Sequence, residues 1–303
     1  MSGSKAKILV VIVTYNAEKW IRECIESILA QSVPADIYVV DNQSTDPTRE
    51  ILSEYEGLIL DFQSENLGFG KANNKGLQYA LDHDYDHAYL LNQDAYMAGD
   101  CLEKSLRALE VYQGNAGIIA SMQLNGTGTE MDFRFQNYLH ARSCPDFLSD
   151  SYLGKVKEAY KCNFANAAAW LLPRNTLETV GFFDPIFFLY GEDSSYLDRL
   201  KSKQLDLVLA PDSVVRHDRE ERKGKRNFAK FKNQVKAEHL VTSLSLQLSP
   251  GRRWRQFTMY TLSLVKGGNP RAAIYGVSLV LSIWFKARAR RRLYRQSAPR
   301  FTE

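Results

Sequence analysis

The sequence of 303 residues lacks the features that mark several large classes of protein. It has no GxxxxGK[ST] motif, which argues against a P-loop nucleotide hydrolase. Gly68 and Gly70 follow the third predicted strand instead of the first, so a Rossmann dinucleotide site is a poor fit. We find no internal repeat and no metal-binding spacing among the cysteines, which are Cys24, Cys101, Cys144 and Cys162.

Long apolar runs and a signal peptide are also missing. The most apolar C-terminal stretch, 272–285, is shorter than the roughly 20 residues that a membrane-spanning helix needs. We therefore expect a cytoplasmic protein with reduced, buried thiols. Charge is unevenly distributed, because residues 216–303 hold 21 Lys and Arg against 5 Asp and Glu, whereas residues 1–215 hold 18 against 30. An acidic body thus carries a basic C-terminal third, and the two should have different partners.

Apolar, β-branched runs alternate with helical patterns through the first two thirds of the chain. The runs at 8–13, 37–40, 58–62, 88–91 and 116–122 are typical of strands buried in a parallel sheet. Further strands are predicted at 166–172 and 205–209, separated by loops and a helix after Gly191. Alternation at this spacing predicts an α/β fold with βαβ units and a mostly parallel sheet. We expect this domain to cover residues 1–218, with loops at 123–165 that build the site.

Polar residues follow the predicted strands and should lie on one rim of the sheet, where α/β proteins bind ligands. They are Thr14, Asp41, Asn66 and Asp94. The Asp94 carboxylate suits a divalent cation that bridges to phosphate oxygens, but it could equally cap the next helix. Asp41 and Asn42 could accept from a pyrimidine or ribose, or simply form a capped turn. Asn66 and Asn73 flank a glycine-rich helix start that could bind phosphate or be a plain loop.

Two adjacent carboxylates, Glu192 and Asp193, follow an aromatic run at the start of a predicted helix. Desolvation in such a place raises a carboxyl pKa and favours a general base, although acids also stabilise helix starts through the dipole. His217 ends a strand-like segment further along. A lone histidine is usually structural, but His217 could complete an oxygen-plus-imidazole metal site with Asp94.

The basic C-terminal extension, 219–303, begins with a predicted mobile loop that runs from Arg219 into a helix by Lys236, and residues 237–295 look helical. Helices that carry Trp, Phe and Leu beside Lys and Arg suit an anionic membrane surface. Nucleic-acid binding and a solvated face are the alternatives. We favour the membrane surface, because no aromatic-interleaved nucleic-acid module is visible and no nucleic acid partner is expected.

An ordered set of motifs carries a family resemblance. The motifs are Val-Thr-Tyr-Asn at 13–16, Val-Asp-Asn-Gln-Ser-Thr-Asp at 40–46, Asn-Leu-Gly-Phe-Gly-Lys-Ala-Asn-Asn at 66–74, Leu-Asn-Gln-Asp-Ala at 91–95 and Gly-Glu-Asp at 191–193. Each motif is loose alone, but in this order the set resembles family 2 glycosyltransferases of the GT-A fold, in the rhamnosyltransferase-like branch. The resemblance covers roughly residues 7–218 and leaves the basic extension aside.

The resemblance implies an inverting sugar transfer from a nucleotide-diphosphate donor with Mg²⁺ or Mn²⁺. It assigns the metal to Asp94 and His217, catalysis to Asp193 with Glu192 as the weaker candidate, and the acceptor side to Trp170. The residues it assigns to the nucleotide-sugar are Thr14, Tyr15, Asn16, Asp41, Asn42, Asn66, Gly70, Asn73, Asn92 and Gln93. The DxD motif of the family stands here as Asn92-Gln93-Asp94, so one carboxylate is missing.

The function predicted from the sequence is transfer of one sugar, from a dTDP-rhamnose-like or UDP-sugar donor, to a glycan or lipid-linked acceptor in cell-surface polysaccharide synthesis. We expect the protein to associate peripherally with the inner face of the membrane. One alternative is a nucleotidyltransferase, which would need a glycine-rich basic loop after the first strand. Another is a catalytically silent module that binds sugar nucleotides.

Overall fold

The computed structural model describes residues 6–219 and 228–301. Nine strands are present within these residues. They are β1 (Ile8–Thr14), β2 (Asp36–Asp41), β3 (Ile59–Phe62), β4 (His87–Asn92), β5 (Ala95–Met97), β6 (Ala116–Asn125), β7 (Tyr160–Cys162), β8 (Ala169–Pro173) and β9 (Asp206–His217). The predicted loop after Arg219 falls partly on residues 220–227, which lie outside the described part of the chain.

Helices connect the strands, and three helices joined by short loops form most of the described C-terminal extension after residue 227. They are α1 (Ile21–Leu29), α2 (Thr48–Ser53), α3 (Phe69–Asp82), α4 (Cys101–Val111), α5 (Phe147–Tyr152), α6 (Arg174–Val180), α7 (Glu192–Ser202), α8 (Phe228–Leu244), α9 (Pro250–Lys266) and α10 (Pro270–Gln296). A 3₁₀ turn covers Phe135–Tyr138. None of the described helices combines the length and the apolar character that a membrane crossing requires.

The strands form one mixed sheet in the order β3-β2-β1-β4-β8-β6-β9-β5, with β7 added beside β9. The half from β3 to β4 is parallel, as the buried β-branched runs predicted. Strand β8 then runs antiparallel between β4 and β6, whereas β6 and β9 are parallel to each other. The α/β fold is thus confirmed, and the carboxyl ends of β1, β2 and β4 meet at one edge.

Two short strands were not foreseen from the sequence. Strand β5 follows Asp94 directly and pairs antiparallel with the end of β9, with Ala95 opposite His217. Strand β7 lies within the region predicted as loops and pairs with the first half of β9. The pairing of β5 has the larger consequence, because it carries Asp94 to the same place as His217.

Apolar side chains pack on both faces of the sheet and form two cores. One core contains Trp170, Phe183 and Tyr196, and the other contains the inner faces of α1 and α4. The C-terminal helices pack against the segment that leads into α7. Asp184, which is fully buried, accepts hydrogen bonds from Arg290 at 2.5 Å and from Tyr294. The basic extension is therefore fastened to the segment that precedes Glu192 and Asp193.

Candidate active site

Asp94 and His217 lie against each other at the edge of the sheet. Asp94 Oδ1 is 3.3 Å from His217 Nε2, and His217 is buried. On the other side of the ring, His217 Nδ1 donates to Gln123 Oε1 at 3.1 Å, while Asn92 Nδ2 donates to Nε2 at 3.4 Å. The bond to Gln123 requires a proton on Nδ1, because the amide oxygen Oε1 can only accept.

This arrangement fits a divalent cation. A carboxylate oxygen and an imidazole nitrogen that lie 3.3 Å apart are both donor atoms that a divalent cation accepts. The bond from Nδ1 to Gln123 is also the kind of outer contact that orients a histidine ligand. Among the described residues, no group of three His, Cys, Asp or Glu side chains could hold a metal. The chain would therefore supply two ligands, with the other positions left for phosphate oxygens and water.

The electrostatics of Asp94 favour its charged form. Burial alone would raise the pKa of the Asp94 carboxyl, but the contact with His217 and the positive charge of Arg219 outweigh it and lower the pKa below its usual value. Arg219 Nε lies 2.8 Å from Asp132 Oδ2, and its Nη2 is buried without a partner among the described residues. Arg219 thus brings a positive charge close enough to act on Asp94, with one guanidinium nitrogen that no described residue bonds.

The first two strand ends are held together by Asp41. This carboxylate is fully buried and accepts hydrogen bonds from Thr14 Oγ1 at 2.9 Å, from Ser44 and from Arg49 Nε at 2.5 Å. Thr14 is fully buried as well. Thr14 and Asp41 are predicted to contact the ligand directly. In this structure they cannot do so, because both side chains are fully buried and bonded to each other.

The loops after β1, β2 and β4 are tied into one rim by three residues predicted for the nucleotide. Gln93 Oε1 accepts from the Tyr15 amide at 2.7 Å, and Asn16 Oδ1 accepts from the Thr45 amide at 2.9 Å. The Tyr15 side chain itself is 50% exposed. Tyr15 is therefore the member of this group that can stack on a ligand, whereas Asn16 and Gln93 fix the loops.

The start of α3 is braced by three asparagines. Asn42 Oδ1 accepts from the Leu67 amide at 3.1 Å, and Asn66 Oδ1 accepts from the Gly68 amide at 2.9 Å. Asn73 is buried and donates to the Phe69 carbonyl at 3.0 Å. These side chains therefore fix the conformation of the loop that leads into α3.

Strong packing joins the start of α3 to the segment that carries the two carboxylates. A Cβ at Gly70 would meet Phe183 Cβ at 2.9 Å and Glu192 Cβ at 3.7 Å, so a larger residue would displace that segment. Asn74 bonds Phe183 in both directions, since its Nδ2 donates to the carbonyl at 2.8 Å and its Oδ1 accepts from the amide at 2.9 Å. Asn74 belongs to a quoted motif, but no role was predicted for it.

Glu192 and Asp193 have different environments despite being neighbours. Glu192 is 7% exposed, and its Oε2 has no hydrogen-bond partner among the described residues. Burial, with a contribution from the charge of Asp193, raises the pKa of Glu192 to about 8. Burial raises the pKa of Asp193 too, but the Ser194 amide, which donates to Oδ1 at 2.7 Å, stabilises its carboxylate. The hydrogen bond from Ser194 thus favours the charged form of Asp193, whereas Glu192 has no such donor on Oε2 and is mostly protonated at pH 7.

The two halves of the site are connected electrostatically through Tyr138 and Arg219. Burial raises the pKa of the Tyr138 hydroxyl, the charge of Asp193 adds to this, and the charge of Arg219 opposes it. Arg219 also lowers the pKa of Asp94. Arg219 thus acts electrostatically on Asp94 and on Tyr138, and Tyr138 is also affected by the charge of Asp193.

Trp170 does not occupy the place that the sequence suggested. Its side chain is fully buried in the core, stacked on Phe183 at a ring-centroid distance of 6.4 Å and tilted against Tyr196 at 6.1 Å. Strand β8 lies in the middle of the sheet, which removes Trp170 from solvent. The acceptor-lining role expected for it is incompatible with this position.

The raised pKa of Glu192 predicts a pH-dependent gain in stability for Glu192→Gln. The carboxyl of Glu192 has a pKa near 8 in the folded state and about 4.5 in the unfolded state, so the folded state binds more protons between these values. The free energy of unfolding of the wild type therefore falls as the pH rises from 5 to 9, whereas glutamine has no such proton to lose. The variant should melt like wild type at pH 5 and several degrees higher at pH 9, corresponding to about 2–5 kcal/mol. Thermal melts across this range measure it. The exposed Glu65→Gln is the matched control, and a gain at pH 5 as large as at pH 9 would contradict the assignment.

The α/β fold and the polar residues at this edge of the sheet define an α/β protein with a ligand site at the strand ends, and comparison with known families gives the family. The sequence model of the family described as Glycosyl transferase family 2 matches residues 9–180, which is more than half of the chain. The protein belongs to this family.

Curated relatives resemble parts of the chain. The putative teichuronic acid biosynthesis glycosyltransferase TuaG of Bacillus subtilis is 34% identical over 111 residues, which are 35% of this chain and 43% of TuaG. The glycosyltransferase GlyA of Streptococcus pneumoniae is 29% identical over 154 residues, 50% of this chain and 20% of GlyA. The chain therefore spans less than half of the length of either relative.

Solved structures share the fold. The Staphylococcus aureus TarS fragment in complex with UDP-GlcNAc is 16% identical, with a TM-score of 0.59 over 95% of this chain and 89% of that one. The mannosyltransferase PcManGT of Pyrobaculum calidifontis, in complex with GDP-Man and Mn²⁺, is 16% identical, with a TM-score of 0.54 over 96% and 85%. At this identity the likeness concerns the fold alone.

Proposed function

We propose that this protein is an inverting glycosyltransferase that moves one sugar from a nucleotide-diphosphate donor to an acceptor hydroxyl. The observation that supports it most is the pairing of Asp94 with His217 beside Arg219, whose Nη2 has no partner among the described residues. The charges of Asp193 and Arg219 both act on Tyr138, which relates Asp193 to this edge of the sheet. Family membership supports the same chemistry and weighs against a nucleotidyltransferase. A pocket for a diphosphate and a separate base are the two parts that a single-displacement transfer needs.

The donor diphosphate is held by Asp94, His217 and Arg219 in this proposal. A divalent cation on Asp94 and His217 would neutralise the charge that builds on the nucleoside diphosphate as it leaves. Arg219 adds a second positive group through Nη2, which the described residues leave without a partner. Tyr15, half exposed on the rim, stacks on the nucleobase.

The acceptor hydroxyl is deprotonated by Asp193 as it attacks the anomeric carbon. Asp193 is partly exposed and has its Oδ1 fixed by Ser194, which leaves its second oxygen to take the proton. Glu192 stays protonated at neutral pH and supports the segment without removing the proton. One displacement with one base inverts the configuration at the sugar and needs no covalent intermediate.

The substrates are a UDP- or dTDP-sugar, including a dTDP-rhamnose-like donor, and a glycan or lipid-linked acceptor of cell-surface polysaccharide synthesis. The acceptor class is supported by TuaG, named for teichuronic acid biosynthesis, and by TarS, named as a poly(ribitol-phosphate) β-N-acetylglucosaminyltransferase. The UDP-GlcNAc complex of TarS supports the donor class. The test is a screen of nucleotide-sugars with Mn²⁺ or Mg²⁺ for thermal shift, binding and turnover. Binding without turnover against any acceptor would identify a silent binding module instead.

The basic extension places the enzyme on the inner face of the membrane in this proposal. Residues 239–302 contain no Asp or Glu, so the hairpin of α9 and α10 carries positive charge alone. Five apolar side chains near its turn are 49–71% exposed, which is unusual for helices of a soluble surface. They are Met259, Leu262, Val265, Ile274 and Val277. Such a surface suits the interface of an anionic bilayer.

Replacing three of these side chains should release the protein from vesicles. We expect Met259→Gln, Leu262→Gln and Ile274→Gln together to lower co-sedimentation with phosphatidylglycerol vesicles at least fivefold, because less apolar surface is buried at the interface. Wild-type binding should also weaken with salt. Removal of residues 270–303 is a poorer test, since it would also remove Tyr294 and Arg290 from buried Asp184.

The matched control replaces three exposed apolar residues elsewhere by glutamine. Phe133, Leu148 and Tyr152 serve this purpose, being 77%, 50% and 92% exposed. Equal loss of vesicle binding in both triple variants would show that the hairpin is not the membrane contact.

A further inference from the structure

A groove of about 840 Å³ lies between α8 and α10 and is bordered by the segment after Gly181. Its floor is apolar and consists mainly of Leu240, Leu279, Ile283 and Leu293. Leu240 and Ile283 belong to the small core that holds these helices together, so the floor is a fixed part of the fold. The groove can therefore accept a flexible apolar chain without rearrangement of the helices.

Positive charge lines this groove without a negative counterpart. Lys236, Lys286 and Arg290 contribute to the lining, and no acidic side chain does so among the described residues. Arg290 is held by Asp184, whereas Lys236 and Lys286 are exposed and form no ion pair within the described part of the chain. The groove thus combines an apolar floor with two available ammonium groups, which is complementary to an anionic amphiphile.

The wall of the groove continues into the segment that carries the proposed base. Ile186 lines the groove, and its neighbour Phe187 packs against Gly191, where a Cβ would approach the Phe187 ring to 3.0 Å. The same Cβ would lie 3.0 Å from Val241 Cγ2 of α8. Gly191 has a φ of +89° and directly precedes Glu192, so the groove and the carboxylates share one packed unit.

We propose that this groove binds the lipid carrier of the acceptor, a long hydrocarbon chain that ends in a phosphate or diphosphate. The chain lies on the leucine and isoleucine floor, and the anionic head lies between Lys236 and Lys286. This assignment rests on the proposed function, because it presents the attached sugar to the side of the molecule that carries Asp193. A free phosphate would make no use of the apolar floor, and a neutral lipid would make no use of the lysines.

The test is calorimetric titration of the full-length protein with farnesyl diphosphate below its micelle concentration. EDTA is present, so that no divalent cation draws the diphosphate to Asp94 and His217. We expect farnesyl diphosphate to bind at least tenfold more tightly than either farnesol or inorganic diphosphate. The double variant Lys236→Glu and Lys286→Glu should bind at least tenfold more weakly than wild type. The control variant Lys266→Glu and Arg271→Glu makes the same change of charge on exposed residues outside the groove and should bind like wild type.

Each contrary result has a defined meaning. Equal weakening in the two double variants, or no weakening in either, would overturn the groove assignment, provided that circular dichroism shows folded protein. Equally tight binding of dihexanoylphosphatidylglycerol would identify a general site for membrane lipids and overturn the acceptor assignment. The assay contains no sugar donor, so a failure here is separate from a failure of the donor screen, which bears on the proposed function itself.

Discussion

Asp193→Asn is expected to lower the kcat of sugar transfer by about 10²–10⁴-fold while changing the affinity for the donor less than threefold. The amide keeps the size of the side chain and the hydrogen bond with Ser194, but it cannot take a proton from the acceptor. The Asp94 and His217 side of the site is untouched, so donor binding persists. Steady-state kinetics with a saturating donor, together with calorimetric donor binding, measures the two effects separately.

Glu192→Gln is the matched comparison for this experiment. Glu192 has a pKa of about 8, so it is mostly protonated at pH 7, and glutamine is close to it in shape and charge. We therefore expect this variant to keep its kcat within tenfold of wild type. If Glu192→Gln were inactive and Asp193→Asn active, the roles of the two carboxylates would be reversed.

The sheet was predictable because its central strands carry a strong local signal. Strands such as β1 are continuous apolar, β-branched runs, which only a position buried on both faces accommodates. Strands β5 and β7 have three residues each and lack such a run. Their conformation is fixed by pairing with β9, and a local pattern does not report a distant partner.

The site was predictable only as far as the family resemblance reached. Asp94 and His217 are far apart in the sequence, and their contact depends on the register that sets Ala95 opposite His217. Gln123 and Arg219 give no local signal, since one is a polar residue in a buried strand and the other begins a basic segment. Trp170 shows the opposite problem, because the family resemblance assigned it to the acceptor side and the strand order buried it.

Asp94→Asn is expected to abolish the effect of Mn²⁺ on donor binding and to lower kcat/KM at least 10³-fold. Asp94 is the carboxylate that the structure places beside His217 Nε2, and the DxD position two residues earlier holds Asn92. No other carboxylate in the described residues forms a three-member metal group with them, so the loss has no evident replacement. Donor affinity should fall by at least tenfold with Mn²⁺ present and change little in EDTA, as measured by calorimetry.

Asp206→Asn provides the matched control, because Asp206 lies at the opposite end of the same strand as His217. Its carboxylate accepts from Tyr112 at 2.8 Å and pairs with Lys161 at 2.5 Å, far from the edge that carries Asp94. This variant should keep the Mn²⁺ dependence of donor binding. Unchanged Mn²⁺ dependence in Asp94→Asn would instead show that Asp94 is no metal ligand. Charge neutralisation of the leaving diphosphate would then fall to Arg219, whose replacement by glutamine would become the decisive substitution.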